Sequence, residues 1–281
     1  MLGFYNLSLQ GTSHKASGTV CQDSSHTMLL SNGWAVAIIA DGLGSAKHSD
    51  AGSFLAVSTV IDHMQKHCPK KWDIKKLTAV LREAFVAALK NITKKATKEN
   101  NPVAQYDTTL TVAVYNGSQV VFGHVGDGGI ITLSKYGSFL MLTKPQKGDE
   151  FNSVNPLKNK EKWVFGASDN DICAFGMFTD GIYDVICPWI LAEQEQPVYV
   201  NYIRPFIDRN LLKANTASDF IKTKGEIETF LNSPYNANIT DDKTIAAVIN
   251  LSTMPLVRAE EYYAEPEWEK LQKENKKKLY S

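Results

Sequence analysis

The sequence predicts an α+β layered domain rather than a doubly wound parallel sheet, and three observations lead there. Apolar segments of strand character follow one another through short turns, two amphipathic helical stretches are inserted between them, and a further strand comes late in the chain. The 281 residues, 43% of them apolar, supply a core for one large domain or two small ones.

Residues 34–40 are almost wholly apolar, as for a strand covered on both faces, and stop at Asp41-Gly42. From Ser49, read as an N-cap, Phe54, Val57, Ile61 and Met64 recur at helical spacing. Leu77, Leu81, Phe85, Ala88 and Ile92 do the same after Trp72-Asp73. Past the polar stretch 99–102 the period becomes two: Leu110, Val112 and Val114 alternate with Thr109, Thr111 and Ala113. Asn116-Gly117 marks a hairpin, and strands over 120–126, 130–133 and 139–142 complete what reads as a β-meander. Residues 143–160, rich in Lys, Asn, Gly and Pro, read as an exposed loop. A strand over 172–179, several short helices over 182–231 and a last strand over 244–251 follow. Trp72, Trp163 and Trp189 are read as packing aromatics. The charged stretch 255–281 is expected to be a helix or a loose tail beyond a domain spanning 1–254.

Lys plus Arg and Asp plus Glu both number 30, so no net field draws nucleic acid or an anionic membrane, and neither is expected as a partner. Only Arg82, Arg204, Arg209 and Arg258 are arginines, which leaves few forked phosphate clamps. Cys21, Cys68, Cys173 and Cys187 form no C-x-x-C pair, no basic-plus-apolar leader opens the sequence, and no run approaches the ~18 apolar residues that span a bilayer. A cytoplasmic location is expected. No G-x-x-x-x-G-K-[ST] nucleotide loop occurs.

Four apolar runs stop at an aspartate: Asp41, Asp127, Asp180 and, just ahead of the last strand, Asp241. One Asp-Gly after a strand is usually only a turn. Four together, delivered to one rim of a sheet, must be neutralised, because unpaired buried charge is costly and hard divalent cations supply the remedy through oxygen ligands. That pattern points to a metal-dependent hydrolase.

Taken in order, Cys21-Gln22-Asp23, Ala40-Asp41-Gly42-Leu43-Gly44, Asp107-Thr108-Thr109-Leu110, Val125-Gly126-Asp127-Gly128, Thr179-Asp180-Gly181-Ile182-Tyr183-Asp184 and Asp241-Asp242-Lys243-Thr244 resemble the metal-dependent, type 2C serine/threonine protein phosphatases over roughly residues 10–250. The likeness is to a divergent bacterial branch. It implies a central antiparallel β-sandwich flanked by helices on both faces, a four-layer αββα arrangement, with a two-metal site at one end. It further implies that Asp41 bridges two Mn²⁺ or Mg²⁺ ions, that Gly42 offers its carbonyl, and that Asp180 and Asp241 hold the same pair. Asp127 would hold a third, weaker ion, and Asp23, at the early acidic position, would be a catalytic residue. Two such ions lower the pKa of a bridging water and spread the charge developing on phosphoryl oxygens, so direct in-line attack needs no Ser or Cys nucleophile. The implied partner is a phosphorylated protein, a cognate Ser/Thr kinase or its targets.

The sequence departs from the family pattern in places. The substrate-gripping arginine expected five residues before Asp23 is Gly18, the residues after Asp127 are Gly128-Gly129, and Asp242 replaces the usual asparagine. His14 or Lys15 upstream, or Lys47 and His48 after Gly44, are the candidates for meeting the substrate phosphate, His14 as a catalytic residue. A regulatory pseudophosphatase and a small-molecule phosphate monoesterase are the rival readings.

Overall fold

The computed structural model describes residues 1–146 and 154–279. Among these, the strands in chain order are β1 (Leu2–Leu9), β2 (Ser24–Leu29), β3 (Ala35–Ala40), β4 (Leu110–Tyr115), β5 (Val120–Val125), β6 (Gly129–Ser134), β7 (Phe139–Met141), β8 (Val164–Ala167), β9 (Ile172–Phe178) and β10 (Lys243–Asn250). The helices are α1 (Thr12–Ser17), α2 (Ser49–His67), α3 (Ile74–Lys98), α4 (Asp180–Ile186), α5 (Val200–Ile207), α6 (Arg209–Leu212), α7 (Ala217–Leu231) and α8 (Trp268–Leu279).

The strands form two antiparallel sheets, β1-β10-β9-β6-β7 and β2-β3-β4-β5-β8. Between them lies a core in which Ala35, Ala37, Ile39, Ala113 and Tyr115 of one sheet meet Ile130, Phe175, Met177, Ala246 and Val248 of the other. On its outer face the second sheet packs Ile38, Val112, Val114 and Val121 against Val60, Met64, Leu77, Leu81 and Phe85 of α2 and α3. The first sheet packs Leu7, Ile131, Phe178 and Ile245 against Ile182, Ile203, Phe206 and Ile227 of α4, α5 and α7. Four layers result, the αββα order that the family resemblance implied. With helices outside and a sheet inside, β3 to β6 are buried along their whole length, which is why these strands read as unbroken apolar runs.

Local chemistry sets the helix faces. Asp73 accepts a hydrogen bond from Lys76 N at 3.1 Å, and Leu77, Leu81, Phe85, Ala88 and Ile92 then point inward at intervals of three and four. α2 is different. His48, not Ser49, is its N-cap, and Ser49 is fully buried in its first turn. Its inner face is made largely of small residues, Gly52, Ser53 and Ala56, because the helix lies tight against Tyr106. Phe54, expected in the core, is 67% exposed.

Other expectations also change. The meander divides: β4 and β5 pair in one sheet, β6 and β7 in the other, and residues 126–128 cross between them. Period and turn chemistry specify hairpin neighbours, but strands buried on both faces carry no mark of which sheet they join. The stretch 143–160 is not uniformly exposed, since Thr143, Asn155 and Leu157 are buried; residues 147–153 of it lie outside the described set. Trp189 is 67% exposed rather than packed. β1, β2, β8 and α1 are additional to the expected elements.

The C-terminal segment runs along the body. Leu256 N donates to Lys135 O at 2.9 Å, Phe139 N donates to Tyr262 Oη at 2.8 Å, and the Arg204 guanidinium lies 3.9 Å over the Tyr263 ring. Trp268 at the start of α8 meets Tyr199 edge to face at 5.2 Å. No described helix is long and apolar enough to cross a membrane.

Candidate metal centre

Strand ends deliver the acids. Asp41 follows the last residue of β3, Asp127 sits in the crossing between β5 and β6, Asp180 opens α4 after β9, and Asp241 precedes β10. Neighbouring strand ends of two facing sheets lie at one rim, so residues far apart in sequence meet there.

The Asp41-Gly42 backbone is clamped by the Asp107-Thr108-Thr109 segment. Asp41 N donates to Thr109 Oγ1 at 2.9 Å, Thr109 N donates back to Asp41 O at 2.8 Å, and Thr108 Oγ1 also donates to Asp41 O at 2.8 Å. Asp107 itself pairs with Lys158. Asp180 accepts from Gly181 N at 2.7 Å, where the first turn of α4 favours a negative group. Thr179 Oγ1 donates to Asp23 Oδ2 at 2.8 Å, tying the early acid to the β9 end. The crossing that carries Asp127 presses on β9: a Cβ on Gly128 would lie 2.3 Å from Phe178 O.

Carboxylate oxygens of Asp41, Asp127 and Asp180 fall within 4.8 Å of one another. Oxygens on one Mg²⁺-sized ion, bonded at roughly 2.1 Å, stand at most about 4.2 Å apart, so this triad is close to chelating geometry. Its all-oxygen donor set suits Mg²⁺ or Mn²⁺ better than zinc. Burial pushes the Asp41 carboxyl well above the ordinary carboxylate range, and the charges of Asp23, Asp180 and Asp127 push it further. Burial likewise raises Asp180, with Asp241 as the next cause, and Asp41 and Asp180 share a hydrogen bond. Asp23 is raised by burial and by Asp242 and Asp180. No lysine or arginine among the described residues forms an ion pair with Asp41 or Asp180. Such acids either bind protons or bind a cation.

Asp241 is exposed beside this triad and groups with His14 and Asp242, again within 4.8 Å. His14 Nδ1 lies 2.9 Å from Asp242 Oδ1, though out of line for a hydrogen bond. Of the other candidates, Lys47 and His48 sit elsewhere. Lys47 is exposed and its backbone N donates to Gln105 Oε1 at 3.1 Å, while the His48 ring stacks on Tyr106 at 5.1 Å. The His48 ring thus faces the 3-10 turn Val103–Tyr106, and Lys47 touches that turn through its backbone.

Sequence reasoning gave no role to Asp242, which is buried at the centre of the N-terminal contacts, nor to Thr179 and His124. His124 is 1% exposed under the Asp127 crossing, with Nδ1 2.8 Å from Thr111 Oγ1. The usual asparagine at position 242 was the available signal for the first of these.

A sandwich of facing antiparallel sheets with acids gathered at one rim defines a class, the metal-dependent phosphohydrolase fold of the type 2C enzymes. The sequence profile of the family described as Protein phosphatase 2C matches residues 10–222, and the chain belongs to that family. Solved structures similar to it include the serine/threonine phosphatase Stp1 from Staphylococcus aureus, with a TM-score of 0.62 and 12% identity over 89% of this chain and 95% of that one. A bacterial serine phosphatase has a TM-score of 0.61 at 12% identity, covering 88% and 96%. The catalytic domain of the serine threonine protein phosphatase PstP, solved in complex with two manganese ions, has a TM-score of 0.55 at 17% identity, covering 88% and 97%. A search of curated proteins returns no match.

Proposed function

We propose that this protein is a Mn²⁺- or Mg²⁺-dependent phosphatase that hydrolyses phosphoserine and phosphothreonine in proteins, by direct attack of water with no covalent enzyme intermediate. One observation carries the reading: Asp41, Asp127 and Asp180 bring carboxylate oxygens within 4.8 Å in a rim where burial and mutual repulsion raise Asp41 and Asp180 above the ordinary carboxylate range, a strain that a bound cation would relieve. When bound, a metal pair supplies an activated water and offsets charge developing on the phosphoryl oxygens. Asp41, the Gly42 carbonyl, Asp180 and Asp241 would hold that pair, and Asp127 a third, weaker ion. Asp23 stands behind them, fixing Thr179. His14, whose ring lies within 4.8 Å of Asp241, would meet a substrate phosphate. His48 is a poorer candidate, because its ring stacks on Tyr106, and Lys47 is an exposed lysine that forms no ion pair with the acids among the described residues.

The test is turnover of a phosphothreonine peptide panel and of small phosphate esters by the purified chain, with and without Mn²⁺. Mn²⁺-stimulated hydrolysis that favours peptides is the expected result. Preference for the small esters would select the metabolite reading. Mn²⁺ binding without turnover on either class would select the regulatory pseudophosphatase.

A further inference from the structure

We infer that Asp242 is a positioning residue for the metal centre, its carboxylate setting the spacing between the two sheets where they carry the ligands. The inference rests on the metal-dependent reading above. Asp242 is 3% exposed, and its two oxygens are used separately. Oδ1 accepts from Gly11 N at 2.7 Å and Oδ2 accepts from Gln22 N at 2.6 Å. Short contacts of this kind, backbone N–H to a buried carboxylate, are among the stronger hydrogen bonds a protein makes.

The second contact reaches across the sandwich. Gln22 gives its N–H to Asp242 on the first sheet, while its carbonyl accepts from Gly42 N at 3.2 Å and from Ser53 Oγ at 2.6 Å on the side of the second. One residue therefore links the Asp241-Asp242 end of β10 to the Asp41-Gly42 end of β3, and the next residue is Asp23. The first contact draws the segment bearing His14 onto the same place. There Ser13 N donates to Thr240 O at 3.0 Å, and a Cβ on Gly11 would lie 2.4 Å from that same oxygen, so only glycine permits the approach.

An asparagine at 242, the usual family residue, keeps one acceptor and turns an NH₂ group toward the other N–H. The carboxylate is what both N–H groups require. Groups that orient ligands without touching the metal commonly change metal affinity about 10- to 100-fold when removed.

Isothermal titration of the full chain with Mn²⁺, for wild type, Asp242→Asn and Asp242→Ala, tests this, alongside melting in EDTA. Expected is Mn²⁺ affinity lower by about 10- to 100-fold for Asp242→Ala and by a smaller factor for Asp242→Asn, with phosphopeptide kcat recovering at saturating Mn²⁺. Variants that melt earlier in EDTA yet bind Mn²⁺ as wild type does would overturn the inference, reducing Asp242 to a structural contact. Should Asp242→Ala not fold, an unchanged affinity in Asp242→Asn alone overturns it. A wild type that binds no Mn²⁺ sinks instead the functional reading beneath.

Discussion

The acidic rim and the opposite end of the sandwich partner their polar groups in contrasting ways. From Asp127 the chain enters β6 at Gly129 and leaves it at Ser134, roughly 20 Å further on at about 3.3 Å per residue. There Lys135 and Phe139 are met by the C-terminal segment, with opposite charges and donors matched to acceptors: Lys135 pairs with Asp171 at 2.6 Å, and the Tyr262 hydroxyl accepts from Phe139 N. At the rim Asp41 and Asp180 face acids. One end is complete as folded, whereas the other leaves clustered carboxylates to be offset by protons or a cation, and this difference separates a stabilising contact from a chemical one.

The largest effect expected from that contrast is on chemistry. Asp41→Ala or Asp180→Ala should lower kcat/KM on a phosphothreonine peptide by several kcal/mol of transition-state stabilisation, on the order of a thousandfold, while melting in EDTA is unchanged or later. Variants that keep turnover would break the comparison.

A buried base at the same rim provides a test of opposite sign to the acids. Burial pushes His124 down to about 4, partly opposed by the carbonyls of Lys144 and Gly126. Its stabilising contribution is present above the unfolded value near 6.5 and is lost as pH falls from there through about 4, about 3 kcal/mol in all. His124→Gln should therefore flatten the acid limb of the wild-type stability curve between those values in urea titrations. An identical limb in both proteins would place the imidazole in contact with water.

For Asp180 the folded value is raised, so the group favours the fold below its unfolded value of about 3.9, and that contribution is lost as pH rises through the folded value. In EDTA, Asp180→Asn should thus melt later than wild type at neutral pH, with the gap closing near pH 4. Saturating Mn²⁺ should reverse the order at neutral pH, because the ion stabilises only the protein that holds it. The smallest change is expected at the far end, where Tyr262→Phe removes one hydrogen bond, costs about 1 kcal/mol in urea, and leaves Mn²⁺ affinity and kcat untouched.

How much of this was readable in the sequence follows from which physics each residue obeys. The strands ending at Asp41, Asp127 and Asp180 were legible because apolar runs stop at an Asp-Gly step whatever their neighbours. α3 was legible because large side chains mark its inner face. α2 was legible as a helix and in part of its facing, since Val57 and Met64 are buried as their spacing required; but Gly52, Ser53 and Ala56 carry the N-terminal contact, so hydrophobic spacing selected the exposed Phe54 there instead. β1 and β2 were missed because polar residues such as Asn6, Ser8, Ser24 and Ser25 interrupt them; Asn6 and Ser8 bond to Ser25 where the two sheets abut. Asp242 resembles any surface acid until residues 231 and 220 positions away donate to it, which no local pattern encodes.

The close crossing at Gly128 also limits how this chain can be rewritten. Placing side chains on Gly128 and Gly129 would drive one into the Phe178 carbonyl, 2.3 Å from a Cβ at position 128, and the other into the Tyr183 ring, 2.4 Å from a Cβ at position 129. New charge for the site therefore has to enter from another loop, and a chimera swapped at this junction alone inherits a wedge.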